Sequence, residues 1–392
     1  MATLALAQQV PSAWTKLDFE DTCSLHGIAP YIGRLKSSIA RSLVLTYSAA
    51  GDLIADPFCG SGTIPLEALL HNRSVVAVDS SEYAVLLAAG KTSRISESDA
   101  LHALAKAMDA SDSRSVDLRG VPRWVRDFFH PRTLKEALAL SAVLKERGES
   151  LLLSCLLGIL HHQRPGFLSY PSSHLVPYLR SRSFPRERFP EMYGYRDVRS
   201  RMERKLARTF SRVPPDFFGT GASAEVVHNP RNDDVVIPDG VDTIITSPPY
   251  MNALDYVRDN RLRLWLLSGR HGFCHADESV RSASGFGRLM VRLLDRASSA
   301  LAAGGYCVLV VGETTARSDF LSHPARLVLE AAHSFSMLRV ADVFRDAIPD
   351  VRRSRRNGRA TKNEVVIVLR KSASRRPRRL RVVSGAQQRT AP

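Results

Sequence analysis

Acidic residues are scarce in this chain: 39 Asp and Glu stand against 55 Lys and Arg over 392 residues, a formal net charge of +16. That imbalance argues against a cationic partner and for a polyanionic one, most simply nucleic acid. A compositional preference for arginine is the alternative. Cysteine is sparse and scattered, at Cys23, Cys59, Cys155, Cys274 and Cys307, with no C-x-x-C pair. Neither a zinc site nor a disulfide framework is expected, no other metal site is suggested, and a reducing cytoplasm fits. No apolar run approaches the roughly 20 residues a membrane span needs. The N-terminal "MATLALAQQVPSAW" has no basic segment ahead of its apolar run, and Asp18, Glu20 and Asp21 follow soon after, so no signal peptide is expected.

The pattern that is present begins as β-α-β-α. Residues 34–47 place Leu35, Ile39, Leu43 and Tyr47 at helical spacing. "LIADPFCGSGT" (53–63) is a short strand running into a glycine loop. "IPLEALL" (64–70) restarts as a helix, with Thr63 placed to cap it and Pro65 in the first turn. "SVVAVDSS" (74–81) is a second buried strand, ending in Asp79, and "EYAVLLAAGKT" is again helical. This is the opening of a doubly wound parallel sheet. Strand signals return at 224–229, 242–247, 306–313, 336–345 and 364–371, and 288–305 reads as an amphipathic helix stopped by Gly304 and Gly305.

The expected fold class is therefore α/β, a seven-stranded Rossmann-like sheet with a largely helical inserted subdomain. Residues 1–97 form the first half of the sheet domain and 98–222 the insertion. Residues 223–371 form the second half and 372–392 a basic, disordered tail. Within the insertion, between Arg164 and Arg212, basic residues outnumber acidic ones by roughly three to one, as on a phosphate-facing surface. Phe167, Tyr170, Tyr178, Phe184, Phe189, Tyr193 and Tyr195 lie among them. Packing is the plain reading of each aromatic; the arginine density is harder to place in a core.

In "DPFCGSGT", Gly60 and Gly62 sit at a strand-to-helix turn, where glycine lets the backbone approach a ligand closely. A P-loop would need a lysine after the last glycine, and a dinucleotide site a third glycine; neither is there. Asp79, at the end of the second strand, can accept from both hydroxyls of a ribose. Asp56, at the end of the first, would repel a pyrophosphate but attract an ammonium. A ligand with a ribose and an amino-acid ammonium is S-adenosylmethionine.

Ser247-Pro248-Pro249-Tyr250 follows the strand at 242–247 and should reach the same sheet edge. Two prolines stiffen the turn and leave the carbonyls of Ser247 and Pro248 without local amide partners. Such carbonyls can accept from an exocyclic amine, with Tyr250 stacked on the base that carries it. The amine's delocalised lone pair makes it a poor nucleophile, and acceptors around it favour the pyramidal form that can attack a methyl group. A base in a duplex must be flipped to reach such a pocket, at a few kcal/mol.

These residues resemble the amino-methyltransferase family that modifies exocyclic amines of DNA bases. "DPFCGSGT" (56–63) is similar to its cofactor loop and "VVAVDSS" (75–81) to its acidic second motif. "TSPPYMNALDYVRDNRLRLWLL" (246–267) is similar to its catalytic motif, and "GIAPYIGRLKSSIARSLV" (27–44) to the helix before the cofactor loop. The chain departs from the family at Arg34, where a lysine is usual, and at Asn229, where an acid lies near the adenine ring. The resemblance implies that Tyr31, Arg34, Asp56, Phe58, Gly60, Gly62, Asp79 and Asn229 contact S-adenosylmethionine, and that Ser247, Pro248, Pro249 and Tyr250 hold the target base. A leading serine goes in the family with cytosine N4, a leading Asp or Asn with adenine N6. The implied partner is double-stranded DNA, read by the insertion, with room for a cognate restriction endonuclease. Ser247 therefore favours cytosine, and besides an adenine-N6 DNA methyltransferase two alternatives stay open. One is an RNA base methyltransferase acting on guanine N2 in tRNA, which would usually bring an N-terminal RNA-binding domain. The other is a nucleic-acid-binding protein without activity.

Overall fold

A computed structural model describes residues 7–15, 22–162, 166–169, 184–230, 234–250, 260–269, 282–314, 323–347 and 361–373. Tyr170, Tyr178, the stretch 251–259 of the catalytic motif and most of the basic tail lie outside them.

The apolar runs become one sheet. Its strands are β1 (Gln8–Gln9), β2 (Leu53–Asp56), β3 (Ser74–Asp79), β4 (Ala224–His228), β5 (Val241–Thr246), β6 (Leu301–Thr314), β7 (Leu338–Ala347) and β8 (Thr361–Lys371). The order across the sheet is β1-β7-β8-β6-β5-β2-β3-β4. The seven expected strands are present, and the eighth, β1, adds a two-residue pairing along the edge of β7. All pairings are parallel except those of β8, which runs antiparallel between β6 and β7.

Strand periodicity explains the layers. Ile54, Ile245, Val308, Val310, Val366 and Val368 face one side. Their neighbours Ala55, Ile244, Leu309, Val311, Val365 and Ile367 face the other. Successive residues point to opposite faces, and both faces are covered, so the strands read as continuous apolar runs. The first face is covered by α1 (Ser37–Tyr47) and by Ile64 and Ala68 of α2 (Thr63–Leu70). Between β3 and β4 come α3 (Glu82–Thr92), α4 (Glu97–Asp112), α5 (Pro131–Glu146), α6 (Ser150–Gly158) and α7 (Val198–Phe210). After β5 come α8 (Arg261–Ser268), α9 (Ala283–Ala300) and α10 (Pro324–His333), the last two covering the second face.

The inserted helices share a buried cluster with the sheet domain. Leu66 and Leu69 of α2 and Tyr83 and Leu87 of α3 pack with Leu104, Leu140, Leu152, Leu156, Met202 and Leu206, and with Leu262 and Trp265 of α8. Several aromatics of the arginine-rich stretch are engaged within the fold. Phe184 and Phe189 meet edge to face at 5.3 Å, and the Tyr195 hydroxyl donates to Glu136 at 2.8 Å.

Two local expectations are corrected. The helix at 288–305 ends at Ala300, ahead of the glycines, because Leu301 turns into β6 and pairs with Val241. The cap of α2 is Gly62 in a left-handed conformation, not Thr63, which is already the first helical residue. Among the described residues, no helix is long and apolar enough to cross a membrane.

Candidate active site

The chain passes from β2 outward to β3 and β4, then returns to place β5 on the other side of β2. The carboxyl ends of β2 and β5 therefore flank the switch point, where open α/β sheets bind ligands. A side-chain bond spans it: Thr246 Oγ1, at the end of β5, donates to Asp56 Oδ1, at the end of β2, at 2.6 Å. Asp56 is 1% exposed. Burial drives its pKa up to about 7, opposed by the Thr246 hydroxyl and the Phe58 amide and reinforced by the charge of Asp79.

The loop after Asp56 is held by its neighbours. Cys59 N–H donates to the Val78 carbonyl at 2.9 Å. Asp79 Oδ2 accepts from Gly60 N–H at 2.9 Å and Oδ1 from Ser81 N–H at 2.8 Å. Asp79 thus shapes the loop, and with about four lone-pair sites it keeps capacity for a ligand. Its pKa is also raised, first by burial. Gly60 and Gly62 take φ of 49° and 73°. A Cβ on Gly62 would lie 2.6 Å from Cα of Ala88, so glycine is needed there for both conformation and space. Gly62→Ala is expected to destabilise the fold by about 1–3 kcal/mol, read from the urea midpoint, because strain and clash act together. Below the loop, Lys91 is fully buried and donates to Ser61 Oγ at 3.3 Å; burial pushes its amine well below the ordinary range.

An open cleft lies over this loop. Tyr31, Arg34, Asp56, Phe58, Gly60 and Asp79 line it, and so do Ser247, Pro248, Pro249 and Tyr250. Arg34 donates to the His26 carbonyl beside it. Asn229 lines a smaller adjoining hollow of about 230 Å³, together with Phe58, Asp79, Ser80 and Val236. It is fixed there by its own amide, donating to the Asp79 carbonyl at 2.9 Å, and by its side chain, donating to the Asp234 carbonyl at 2.9 Å. Gly62 lies at the cap of α2, behind the cleft lining.

On the β5 side, Ser247 Oγ donates to the Val310 carbonyl at 3.1 Å. The same oxygen lies 3.4 Å from the Tyr250 hydroxyl, the other group within its reach. Tyr250 is 7% exposed and its hydroxyl donates to Glu364 Oε1 at 2.7 Å. Its ring lies against Gly312, where a Cβ would come within 2.4 Å of Cδ2. Cys59, whose thiol burial holds well above its ordinary pKa, offers no thiolate nucleophile. Thr246 and Ser61 lie inside the sequence motifs without an expected role, and Gly312, Lys91 and Glu364 lie outside them. The first precedes Ser247 directly, and an isolated glycine in a valine-rich strand is itself a sign of close approach.

A glycine loop between two strands that end in Asp56 and Asp79, both with raised pKa, facing a Pro-Pro-Tyr turn across the switch point, has the arrangement of a Rossmann-like methyltransferase site. The cofactor of that class is S-adenosylmethionine, and the acid pair and glycine cradle fit its cationic and ribose groups. Residues 29–118, which carry the loop and Asp79, match the family model described as RMKL-like, methyltransferase domain. No curated protein matches the chain. Among solved structures, the rRNA methyltransferase AviRa from Streptomyces viridochromogenes aligns at 14% identity and a TM-score of 0.33, over 90% of this chain and 94% of that one. A SAM-dependent methyltransferase from Methanosarcina mazei aligns at 11% identity and 0.33, over 85% and 98%. An rRNA methylase from Streptococcus thermophilus aligns at 8% and 0.32, over 86% and 98%.

Proposed function

We propose that the protein transfers the methyl group of S-adenosylmethionine to an exocyclic amine of a nucleic-acid base. The observation that carries this is the single cleft shared by the cofactor loop and by Ser247, Pro248, Pro249 and Tyr250. The cofactor supplies an electrophilic methyl group; the chain supplies placement. Asp56 would take the ammonium, Asp79 the ribose, and Asn229 and Phe58 the adenine end. The carbonyls of Ser247 and Pro248 would accept from the amine, and Tyr250 would stack on its base.

Two substrates fit, and RNA guanine N2 is favoured over DNA cytosine N4. The RMKL-like match stands apart from the DNA-methylase resemblance of the motifs. Beside the target amine, cytosine presents a bare ring nitrogen and guanine an N1–H, and the Ser247 hydroxyl can donate to the first or accept from the second. Guanine flanks its N2 amine with N1–H on one side and the acceptor N3 on the other. The arginine-rich insertion would hold phosphates in either case, and a base in an RNA loop needs no duplex to be opened.

Tritiated S-adenosylmethionine with duplex DNA, single-stranded DNA, tRNA or rRNA, followed by digestion to nucleosides, tests the proposal. Label in N2-methylguanosine supports the RNA reading and label in N4-methylcytosine the DNA one; no transfer to any nucleic acid would sink both. Tyr250→Ala should lower turnover by about ten- to hundredfold, from the lost stacking, with cofactor binding close to wild type. A collapse of cofactor affinity instead would show that the tyrosine belongs to the cofactor pocket.

A further inference from the structure

Tyr250 is held from three directions. Gly312 lies under its ring, Ser247 Oγ lies 3.4 Å from its hydroxyl, and that hydroxyl donates to Glu364 Oε1 at 2.7 Å. Glu364 is 114 residues away in the chain, on β8, which runs antiparallel to both of its neighbours. In the β6–β8 ladder it is paired with Gly312, and in the β7–β8 ladder with Asp346. The ladder thus presents the floor under the ring and the anchor for its hydroxyl side by side.

The location is electrostatically poor for a carboxylate. Burial raises the pKa of Glu364 and the charge of Asp346 raises it further, while the Tyr250 hydroxyl opposes both. A residue with no task there would gain by being neutral or apolar. A hydrogen bond from a phenol to a carboxylate is charge-assisted and well directed. It fixes the plane of a ring that must be in place before a base arrives, so the acceptor does not spend binding energy ordering it.

We infer that Glu364 is the positioning residue of Tyr250, setting the ring plane on which the acceptor base stacks. The inference rests on the proposal that Tyr250 faces that base. Two readouts separate them. The first is NMR of protein labelled with 13C at tyrosine Cζ, with Tyr250 assigned by the signal missing in Tyr250→Phe. The Tyr250 resonance should shift in Glu364→Ala and shift less in Glu364→Gln, which keeps a neutral acceptor.

The second readout is turnover on the nucleic acid that accepts label. Glu364→Ala should lower kcat by about ten- to hundredfold, the worth of a hydrogen bond to a charged group. The cofactor Kd should stay within about twofold, and Glu364→Gln should recover most of the rate. Tyr250→Phe combined with Glu364→Ala should be no worse than the worse single variant, because both remove one contact. An unmoved Tyr250 resonance in Glu364→Ala overturns the inference, and so does a double variant whose loss is the product of the two single losses. If the wild type methylates no nucleic acid, the proposed function fails, and the resonance still reports whether Glu364 holds the ring.

Discussion

Asp56→Asn will be more stable than the wild type at pH 8 and will bind S-adenosylmethionine at least about a hundredfold more weakly, as expected when one partner of a buried charge pair is removed. The two effects have one origin. Burial raises the Asp56 pKa from 3.8 to about 7. Holding it ionised in the folded protein above pH 7 costs about 4 kcal/mol relative to the unfolded chain. The sign follows: with the folded pKa above the unfolded one, the group favours folding most below pH 3.8, and that contribution is lost as pH rises through 7. Asparagine keeps an acceptor for Thr246 and Phe58 without the charge, so its stability advantage should be large at pH 8 and fade toward pH 4. The same linkage acts on binding. Below pH 7 the ammonium must displace a proton from Asp56, so apparent cofactor affinity should fall about tenfold per pH unit there. Calorimetric titrations in buffers of different ionisation enthalpy would reveal the released proton. An Asp56→Asn variant that binds as the wild type does, or affinity flat from pH 5 to 8, would remove Asp56 from the ammonium site.

The sequence discloses those parts of the site whose chemistry is local. Asp56, the glycines and Asp79 lie within 24 residues of one another, and strand, turn and helix periodicity place them without any long-range information. The loop's cap is less legible, because Thr63 has the right chemistry for an N-cap while the backbone turns one residue earlier, at Gly62, to clear Ala88. Contacts between distant strands are not written in either segment. The Asp56–Thr246 bond joins positions 190 apart and depends on β5 returning beside β2. Glu364 in "NEVVIVLRK" reads as an ordinary polar residue at the start of an apolar strand, and only the antiparallel placement of β8 brings it to Tyr250. Ser247 shows the limit of motif reading most directly: its residue type suggests a choice of base, but its hydroxyl lies within reach of the Val310 carbonyl and the Tyr250 hydroxyl and can donate or accept.

Gly312→Ala should reduce turnover by about a hundredfold or more while leaving cofactor affinity nearly unchanged, because the loss combines base stacking with the Tyr250–Glu364 bond. The new Cβ would lie 2.4 Å from Tyr250 Cδ2 and 2.6 Å from Cε2, well inside contact distance. The strand cannot retreat to relieve the clash. β6 is laddered to β8 from Tyr306 to Thr314 and to β5 from Tyr306 to Leu309, and moving it would break bonds on both sides. The ring must move instead, and its rotation carries the hydroxyl away from Glu364 and the face away from the cleft. Stability should fall by about 1–3 kcal/mol, the usual cost of overpacking a close contact. The origin of that loss is testable by coupling. In a Tyr250→Ala background the same Gly312→Ala change meets no ring and should alter neither stability nor the residual rate. A Gly312→Ala enzyme with full turnover would mean that the ring's position does not matter to the reaction. A loss that persists undiminished in the Tyr250→Ala background would locate the damage in the β6 backbone rather than in the tyrosine.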